Sequence, residues 1–333
     1  MSNKKIRIGY NPSSLFSTKD IVRFAKLSDG VLQADSIWIP ESWGREAFTM
    51  LGTISQVTNR IKLGTSVVNI YARSPATTAM AAFTLDDLAP GRIIIGLGAG
   101  TPALAENWHG IEFLHPLRRL EEFTECFRCI LTGKKVNYEG VFYNIRDFSI
   151  MYRSKGKNIP IFFGAVNKRM IKLATNISDG VILYLRPLEE IREVVDIIKS
   201  RVHRSDRNFE ICCVFITAIC DQNPELARLR ASKTLAFYIS VGEYYSKFLS
   251  DTGFNKEVML VKEVYAKEGL DKAADCIPDK MLRSLTIFGN TEDCLKSLRE
   301  IVSTGISLPI LQVNPVRDTG DSIKQSLLLA TLV

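Results

Sequence analysis

Polar or glycine residues directly follow several short apolar runs of this chain, at the points where strands would end. Glu41 comes two residues after the apolar Trp38-Ile39 pair and two residues before Trp43. A carboxylate placed there could exchange a proton with a bound molecule or contact it. A loop salt bridge, for instance with Arg45, is the other interpretation, and the position at the C-terminal end of a strand favours function.

Two glycine-containing segments hold the same position behind a strand. The run Gly96-x-Gly98-x-Gly100 ends at Thr101, and Gly164-Ala165-Val166-Asn167 precedes a helix that starts near Lys168-Arg169. Glycine allows a ligand to approach the backbone, and the N–H groups of a helix start beside two cations suit a phosphate. Close packing at a barrel rim and a simple capped turn are the alternative interpretations.

The elements that must position these residues alternate between strand and helix. Eight apolar strands are predicted at 6–10, 36–40, 61–69, 92–101, 159–164, 180–184, 210–220 and 309–313. Each is followed by a helix, and Ser74-Pro75 opens the one after the third strand as N-cap and first helical residue. A hairpin is predicted at 138–147. In the helix from Pro116, Arg119 and Glu122 lie off the apolar stripe and are expected to be solvated.

This number of consecutive βαβ units favours a closed (β/α)8 TIM barrel in the α/β class. We expect one domain over 1–333, with a helical insertion at about 223–285 between strands 7 and 8. A doubly wound open sheet is the runner-up. It would require a dinucleotide fingerprint after the first strand, where the chain instead reads Gly9-Tyr10-Asn11-Pro12.

Composition excludes several function classes. The 333 residues carry 43 Lys+Arg against 36 Asp+Glu, a mild net charge of +7 spread along the chain, which predicts no nucleic-acid partner but would attract anionic ligands. Because no apolar run approaches the roughly 18–20 residues of a membrane span and the N-terminus leads straight into a strand, we expect a cytoplasmic protein. The isolated Cys126-x-x-Cys129 pair predicts no metal site.

Several longer motifs are specific enough to suggest a family. They are Thr58-Asn59-Arg60-Ile61-Lys62-Leu63-Gly64-Thr65-Ser66-Val67, Tyr71-x-Arg73-x-Pro75-Ala76, Gly91-Arg92-x-x-x-Gly96-x-Gly98-x-Gly100 and Ser178-Asp179-Gly180. Through them the chain resembles the luciferase-like superfamily, and within it the coenzyme F420-dependent branch, over nearly its whole length. It is similar both to methylenetetrahydromethanopterin reductases and to F420-dependent glucose-6-phosphate dehydrogenases.

The resemblance implies a fold, a cofactor and a set of site residues. The fold is a TIM barrel, expected as a homodimer, with the deazaflavin at the C-terminal mouth against a non-prolyl cis peptide that maps to Ser66-Val67. The cofactor-binding residues would be Glu41, Ser66, Val67, Asn69, Gly98, Ala99, Gly100, Gly164, Ala165, Val166, Asn167 and Arg169. Glu41 and Thr101 would be the catalytic residues.

The proton-handling groups depart from those of both relatives. Glu41-Ser42 stands where the sugar-phosphate dehydrogenases have Asp-His, Thr101 replaces a glutamate, and Asn11 stands where the reductases have a glutamate.

The resemblance as a whole predicts an oxidoreductase that transfers a hydride between coenzyme F420 and a small organic substrate. An FMN-dependent monooxygenase and a non-catalytic cofactor-binding relative are the alternatives.

Overall fold

The computed structural model of this chain describes residues 6–42, 44–152, 158–202 and 208–333. Trp43, predicted near Glu41, lies outside the described residues. The strands are β1 (Ile8–Pro12), β2 (Ala34–Ile39), β3 (Lys62–Thr65), β4 (Val68–Asn69), β5 (Ile93–Gly98), β6 (Val136–Glu139), β7 (Asn144–Phe148), β8 (Ile161–Gly164), β9 (Gly180–Tyr184), β10 (Glu210–Ile219), β11 (Thr286–Gly289) and β12 (Leu308–Val313).

Helices separate most of these strands. They are α1 (Thr18–Ser28), α2 (Ala47–Ser55), α3 (Pro75–Leu88), α4 (Pro116–Leu131), α5 (Lys168–Ile177), α6 (Leu188–Arg201), α7 (Pro224–Val241), α8 (Glu243–Leu249), α9 (Asn255–Glu268), α10 (Leu270–Asp275), α11 (Asp279–Leu285), α12 (Thr291–Ser303) and α13 (Thr319–Thr331). Two short π-helices, Ala103–Trp108 and Ser250–Phe254, complete the set. No helix of the described ranges is long and apolar enough to cross a membrane.

The described residues form two compact units. Unit 1 comprises residues 6–35, 183–200 and 211–333, and unit 2 comprises 36–182 and 201–210. Each unit contains a parallel sheet flanked by helices that follow its strands. Because such sheets are covered on both faces, their strands are apolar along their length, and every residue of β5 is buried.

The sheet of unit 2 has the strand order β2-β3-β5-β8-β9, with β4 paired to β5. The pairing is parallel throughout, so the C-terminal ends of neighbouring strands lie at one edge. Trp38 on β2 is fully buried over Gly64 of β3, where an added Cβ would meet the indole at 2.3 Å. The Trp38 indole therefore belongs to the core.

The sheet of unit 1 has the order β11-β10-β12-β1, also parallel. The strand β11 was not among the eight predicted, which is a shortfall of the sequence interpretation. Its four residues follow the apolar Leu282 and Leu285 of α11, and so short an apolar run cannot be told from the end of a helix by periodicity. Upstream of it, residues 224–285 contain α7 to α11 and the π-helix Ser250–Phe254.

The predicted hairpin is confirmed as β6 and β7, which pair antiparallel. Its turn is tied to α4, because the backbone N–H groups of Val141 and Phe142 donate to the Glu122 carboxylate at 3.2 and 2.8 Å. The expectation that Glu122 is solvated is wrong, since its side chain is fully buried. Arg119 is likewise not simply solvated. Its guanidinium lies 4.7 Å from the centroids of the Tyr71 and Phe142 rings.

Candidate active site

A bulge between β3 and β4 lies at the centre of the C-terminal edge of unit 2. The Ser66–Val67 peptide bond there is cis, at the position where the resemblance places such a bond. The bulge is fastened to the end of β2, because Ser66 N–H donates to the Ile39 carbonyl at 2.9 Å and Glu41 N–H donates to the Val67 carbonyl at 3.4 Å. The end of β2 and the bulge therefore hold each other in place.

The side chain of Val67 explains two of the glycines noted in the sequence. A Cβ at Gly98 would lie 2.4 Å from Cγ2 of Val67, and a Cβ at Gly164 would lie 3.3 Å from its Cγ1. Any larger residue would push against the bulge. Within unit 2, these glycines therefore make room for Val67, in addition to any role they have beside a ligand.

The remaining glycines of the run accommodate β3 and β4. Gly96 faces Thr65, whose hydroxyl donates to the Gly96 carbonyl and accepts from its N–H, both at 2.8 Å. Gly100 has a φ of +66°, and a Cβ there would lie 2.9 Å from the Asn69 amide nitrogen. The amide oxygen of Asn69 accepts from Tyr71 N–H at 2.9 Å. The run thus fixes the backbone on which the bulge and Asn69 rest.

Glu41 is engaged in an ion pair with Arg73, which follows β4. The Arg73 Nε donates to Oε2 of Glu41 at 3.2 Å and its Nη2 donates to Oε1 at 2.9 Å. The same Nη2 also reaches the carboxylate of Glu46. Burial opposes charge on Arg73, but the hydrogen bonds and negative charge of the two glutamates raise the pKa of its guanidinium above the usual value. Glu41 thus takes part in a salt bridge, with Arg73 as a partner, and its role in function stays a prediction.

Glu46 serves a second purpose as the N-cap of α2. Its carboxylate accepts from Phe48 N–H at 3.1 Å and from Thr49 N–H at 2.6 Å. Burial alone would raise the pKa of this carboxyl, but the bonds from Thr49 and Phe48 and the charge of Arg73 lower it overall. Glu46 is therefore stabilised as an anion that binds both the helix start and Arg73.

A cavity of about 530 Å³ opens beside this ion pair, entirely within unit 2. Its lining includes the predicted residues Glu41 and Asn69, together with Arg45, Arg73 and His109. The volume lies in the range of small-molecule and cofactor sites. Of the residues predicted from the sequence, these two are the ones that the structure brings to the cavity wall.

Thr101 is half-buried and does not line the cavity. Its hydroxyl accepts from the N–H of Leu104 at 3.4 Å, where the π-helix begins. Thr101 therefore has a local structural partner. Its catalytic role stays a prediction.

The segment behind β8 forms the helix start that the sequence predicts. Asn167 is the N-cap of α5, and its side chain accepts from Met170 N–H at 2.9 Å. Ala165 is buried and its N–H donates to the Ile182 carbonyl at 3.0 Å, while Arg169 is exposed. These contacts leave the cofactor-binding role of Val166, Asn167 and Arg169 as a prediction.

The sequence matches the luciferase-like monooxygenase family over residues 5–308. The chain belongs to this family. A protein of Mycobacterium tuberculosis provisionally named a coenzyme F420-dependent oxidoreductase is 29% identical over 309 residues, which cover 86% of this chain and 89% of that protein. The 5,10-methylenetetrahydromethanopterin reductase of Archaeoglobus fulgidus is 28% identical over 282 residues, covering 82% and 83% of the two chains.

Among solved structures, the fold resembles the coenzyme F420-dependent tetrahydromethanopterin reductase of Methanopyrus kandleri. The TM-score is 0.84 at 20% identity, over 97% of each chain. The fold of this luciferase-like chain is therefore the (β/α)8 barrel that the sequence predicted, and the doubly wound alternative is set aside. The described residues contain no group of three or more His, Cys, Asp or Glu side chains that could hold a metal ion.

This member of the luciferase-like family has a further polar cluster, in unit 1, which the sequence interpretation missed. Gln312 on β12 accepts from the Tyr184 hydroxyl at 2.7 Å, and its amide donates to the Tyr238 hydroxyl at 3.1 Å. Burial is the main cause that raises the pKa of Tyr184 well above its usual value. The three residues are 54 to 128 positions apart, so only the folded chain brings them together.

Proposed function

We propose that this chain is an oxidoreductase that transfers a hydride between coenzyme F420 and a small organic substrate. Membership of the luciferase-like family supports a redox function. The names of two relatives that match more than four fifths of the chain support the choice of a C1-pterin as the first substrate class to test. Their identities of 28% and 26% are too low to carry the substrate without an experiment.

The observation that carries the proposal is the bulge with its neighbouring cavity. Four adjacent strand ends, those of β2, β3, β5 and β8, supply Glu41, the bulge and the glycines that admit Val67, and the cavity beside them is large enough for a flat heterocycle. Barrel enzymes concentrate their chemistry at this edge of the sheet. A cofactor ring in this cavity would lie beside the bulge and against Asn69 and Glu41, which line it.

The residues of this chain would divide the work of binding. The backbone at Ser66, Val67, Gly98, Ala99 and Gly100, together with Asn69, would hold and orient the ring, and the start of α5 with Arg169 would bind a phosphate. When bound, the deazaflavin supplies the site that accepts or gives up the hydride. Both carboxylate oxygens of Glu41 accept from Arg73, so in this state Glu41 acts as a hydrogen-bond acceptor and not as a proton donor.

A titration of the purified protein with F420 and, separately, with FMN tests the cofactor. We expect F420 to quench or shift in fluorescence and to bind at least tenfold more tightly than FMN. Turnover of reduced F420 with methylenetetrahydromethanopterin then tests the substrate class. Tight F420 binding without this turnover removes the C1-pterin and retains the cofactor, and binding of neither cofactor contradicts the proposal.

A flavin monooxygenase is the second candidate, because the matching family is described by that activity. It differs in cofactor and in its use of oxygen. Tighter binding of FMN than of F420, with oxygen consumption by the reduced complex, would favour it. The same titration therefore separates the two candidates.

A further inference from the structure

Arg73 offers one unused edge of its guanidinium at the cavity. Its Nε and Nη2 are taken up by Glu41 and Glu46, but no described residue accepts a hydrogen bond from Nη1. Arg73 lines the cavity of about 530 Å³, and its side chain is 17% exposed. Two N–H donors of a fixed cation are thus available to a molecule that enters.

The guanidinium is held more firmly than most surface arginines. Glu41 binds it through two oxygens, with side-chain exposures of 17% for Arg73 and 14% for Glu41. The Arg73 guanidinium carbon, Cζ, lies 4.7 Å from the centroid of the Phe48 ring, and Phe48 belongs to α2, the helix that Glu46 caps. A planar cation fixed on two sides loses little entropy when it binds a further acceptor.

The charged side chains around Arg73 limit which hydrogen-bond acceptors can bind to its Nη1. The carboxylates of Glu41 and Glu46 both contact Arg73, and both glutamates also line the cavity. Arg45 also lines the cavity, so the two arginines and two glutamates there nearly cancel, and a multiply charged phosphate would meet the glutamates as well as the arginines. A neutral carbonyl oxygen can approach Nη1 without that repulsion, and a singly charged oxygen meets less of it than a phosphate does.

We propose that Arg73 is a specificity-determining residue whose Nη1 edge donates to a carbonyl or singly charged oxygen of the bound cofactor or substrate. Glu41 is then a positioning residue that holds Arg73, in place of the ring-contacting role that the resemblance implies for it. The inference rests on the proposed function, because that function supplies the oxygen-bearing ligand. The observation that supports the inference is the pair of hydrogen bonds from Arg73 to Glu41, which leaves Nη1 of Arg73 unused by the described residues.

The test compares R73K, E41Q and a control in the same unit. R128K is the matched control, since Arg128 also pairs with a carboxylate, that of Asp179 at 2.9 Å, and does not line the cavity. The Kd of F420, and the KM and kcat for methylenetetrahydromethanopterin, are measured for each variant. Denaturation midpoints identify any variant that is simply unfolded.

An oxygen on the cofactor predicts a rise of at least tenfold in the Kd of F420 for R73K, a smaller rise for E41Q and none for R128K. An oxygen on the substrate predicts an unchanged Kd and a tenfold higher KM with kcat retained. In R73A, added methylguanidinium should restore part of the lost binding, which a purely structural role would not allow. Folded R73K with unchanged Kd and KM overturns the inference.

The wild-type titration separates this inference from the proposed function. If the wild type binds neither F420 nor FMN, the proposed function fails and the inference fails with it. If the wild type binds a cofactor and R73K retains both cofactor and substrate affinity, only the inference fails. The two failures are therefore distinct results of one experiment.

Discussion

At the scale of single residues, Gly98 is a position where the bulge is sensitive to change. In G98A the new Cβ would lie 2.4 Å from Val67 Cγ2, so the bulge side chain must move. We expect a loss of about 1–3 kcal/mol in the free energy of unfolding, as for other overpacked sites, together with weaker F420 binding. Urea denaturation and the F420 titration measure the two effects.

The contact with Val67 can be tested directly in a double-mutant cycle. V67A in the G98A background removes the clashing methyl groups, so the double variant should recover part of the lost stability. G52A is the matched glycine control, because Gly52 lies inside α2 and its Cβ would have an ordinary 3.8 Å contact with Leu85. It should gain about 0.5–1 kcal/mol from helix propensity. Equal losses in G98A and in the double variant would disprove the role of Val67.

At the residue scale, prediction from the sequence succeeded where a nearby strand end or helix start determines the place of the residue. The placement of Glu41 at a strand end and Ser74 as a helix N-cap required only local patterns, and the structure confirms both. The pairing of Glu41 with Arg73 spans 32 positions and could not be chosen over Arg45 from spacing alone. The glycines were interpreted either as ligand-facing or as closely packed, because nothing local shows that Val67 fills the space above Gly98 and Gly164.

At the scale of elements, the buried carboxylate of Glu122 fastens the hairpin β6–β7 to α4. Burial opposes its charge, but bonds from Phe142, Val141 and Arg118 lower the pKa of Glu122 below its usual value. E122Q loses these charge-assisted bonds and should reduce the free energy of unfolding by about 1.5–3 kcal/mol at neutral pH. A lowered pKa stabilises the fold above the unfolded value of about 4.3 and ceases to do so as pH falls through the folded value.

Denaturation of wild type and E122Q between pH 3 and 7 therefore tests both the size of the Glu122 contribution to the free energy of unfolding and the sign of its pH dependence. The difference between them should be full near pH 7 and shrink below about pH 4.3. E121Q is the control, since Glu121 pairs with the same Arg118 at 3.2 Å but is partly exposed, and it should change stability by less than about 1 kcal/mol. A difference between wild type and E122Q that grows toward acid would contradict the assignment.

Most elements could be predicted because their apolar periods are long. The bounds of β9 coincide with those predicted, and α3 and α4 begin at the predicted Pro75 and Pro116. The strand β11 escaped because its four residues continue the apolar pattern of α11. Its pairing with β10 at 216–219 supplies hydrogen bonds that no local pattern reveals.

At the scale of the whole molecule, the excess of positive charge bears on how the proposed cofactor arrives. The sequence carries a net +7, and phosphate-bearing ligands are anionic. Electrostatic steering would raise their association rate, and salt would reduce it within a Debye length of about 8–10 Å at 0.1–0.15 M. We expect the association rate of F420 to fall several-fold between about 20 and 500 mM NaCl, with a smaller change in the dissociation rate.

Stopped-flow fluorescence with F420 across this salt range measures the effect. Riboflavin, which lacks a phosphate, is the control ligand, and its association rate should change little. K168Q and R169Q test whether the start of α5 contributes locally, because both side chains are exposed there. If the K168Q/R169Q double variant loses nearly all the salt dependence of the F420 association rate, the phosphate binds at α5. If that salt dependence is unchanged, the steering field arises from the charge of the whole chain. A salt-independent rate for F420 would refute steering altogether.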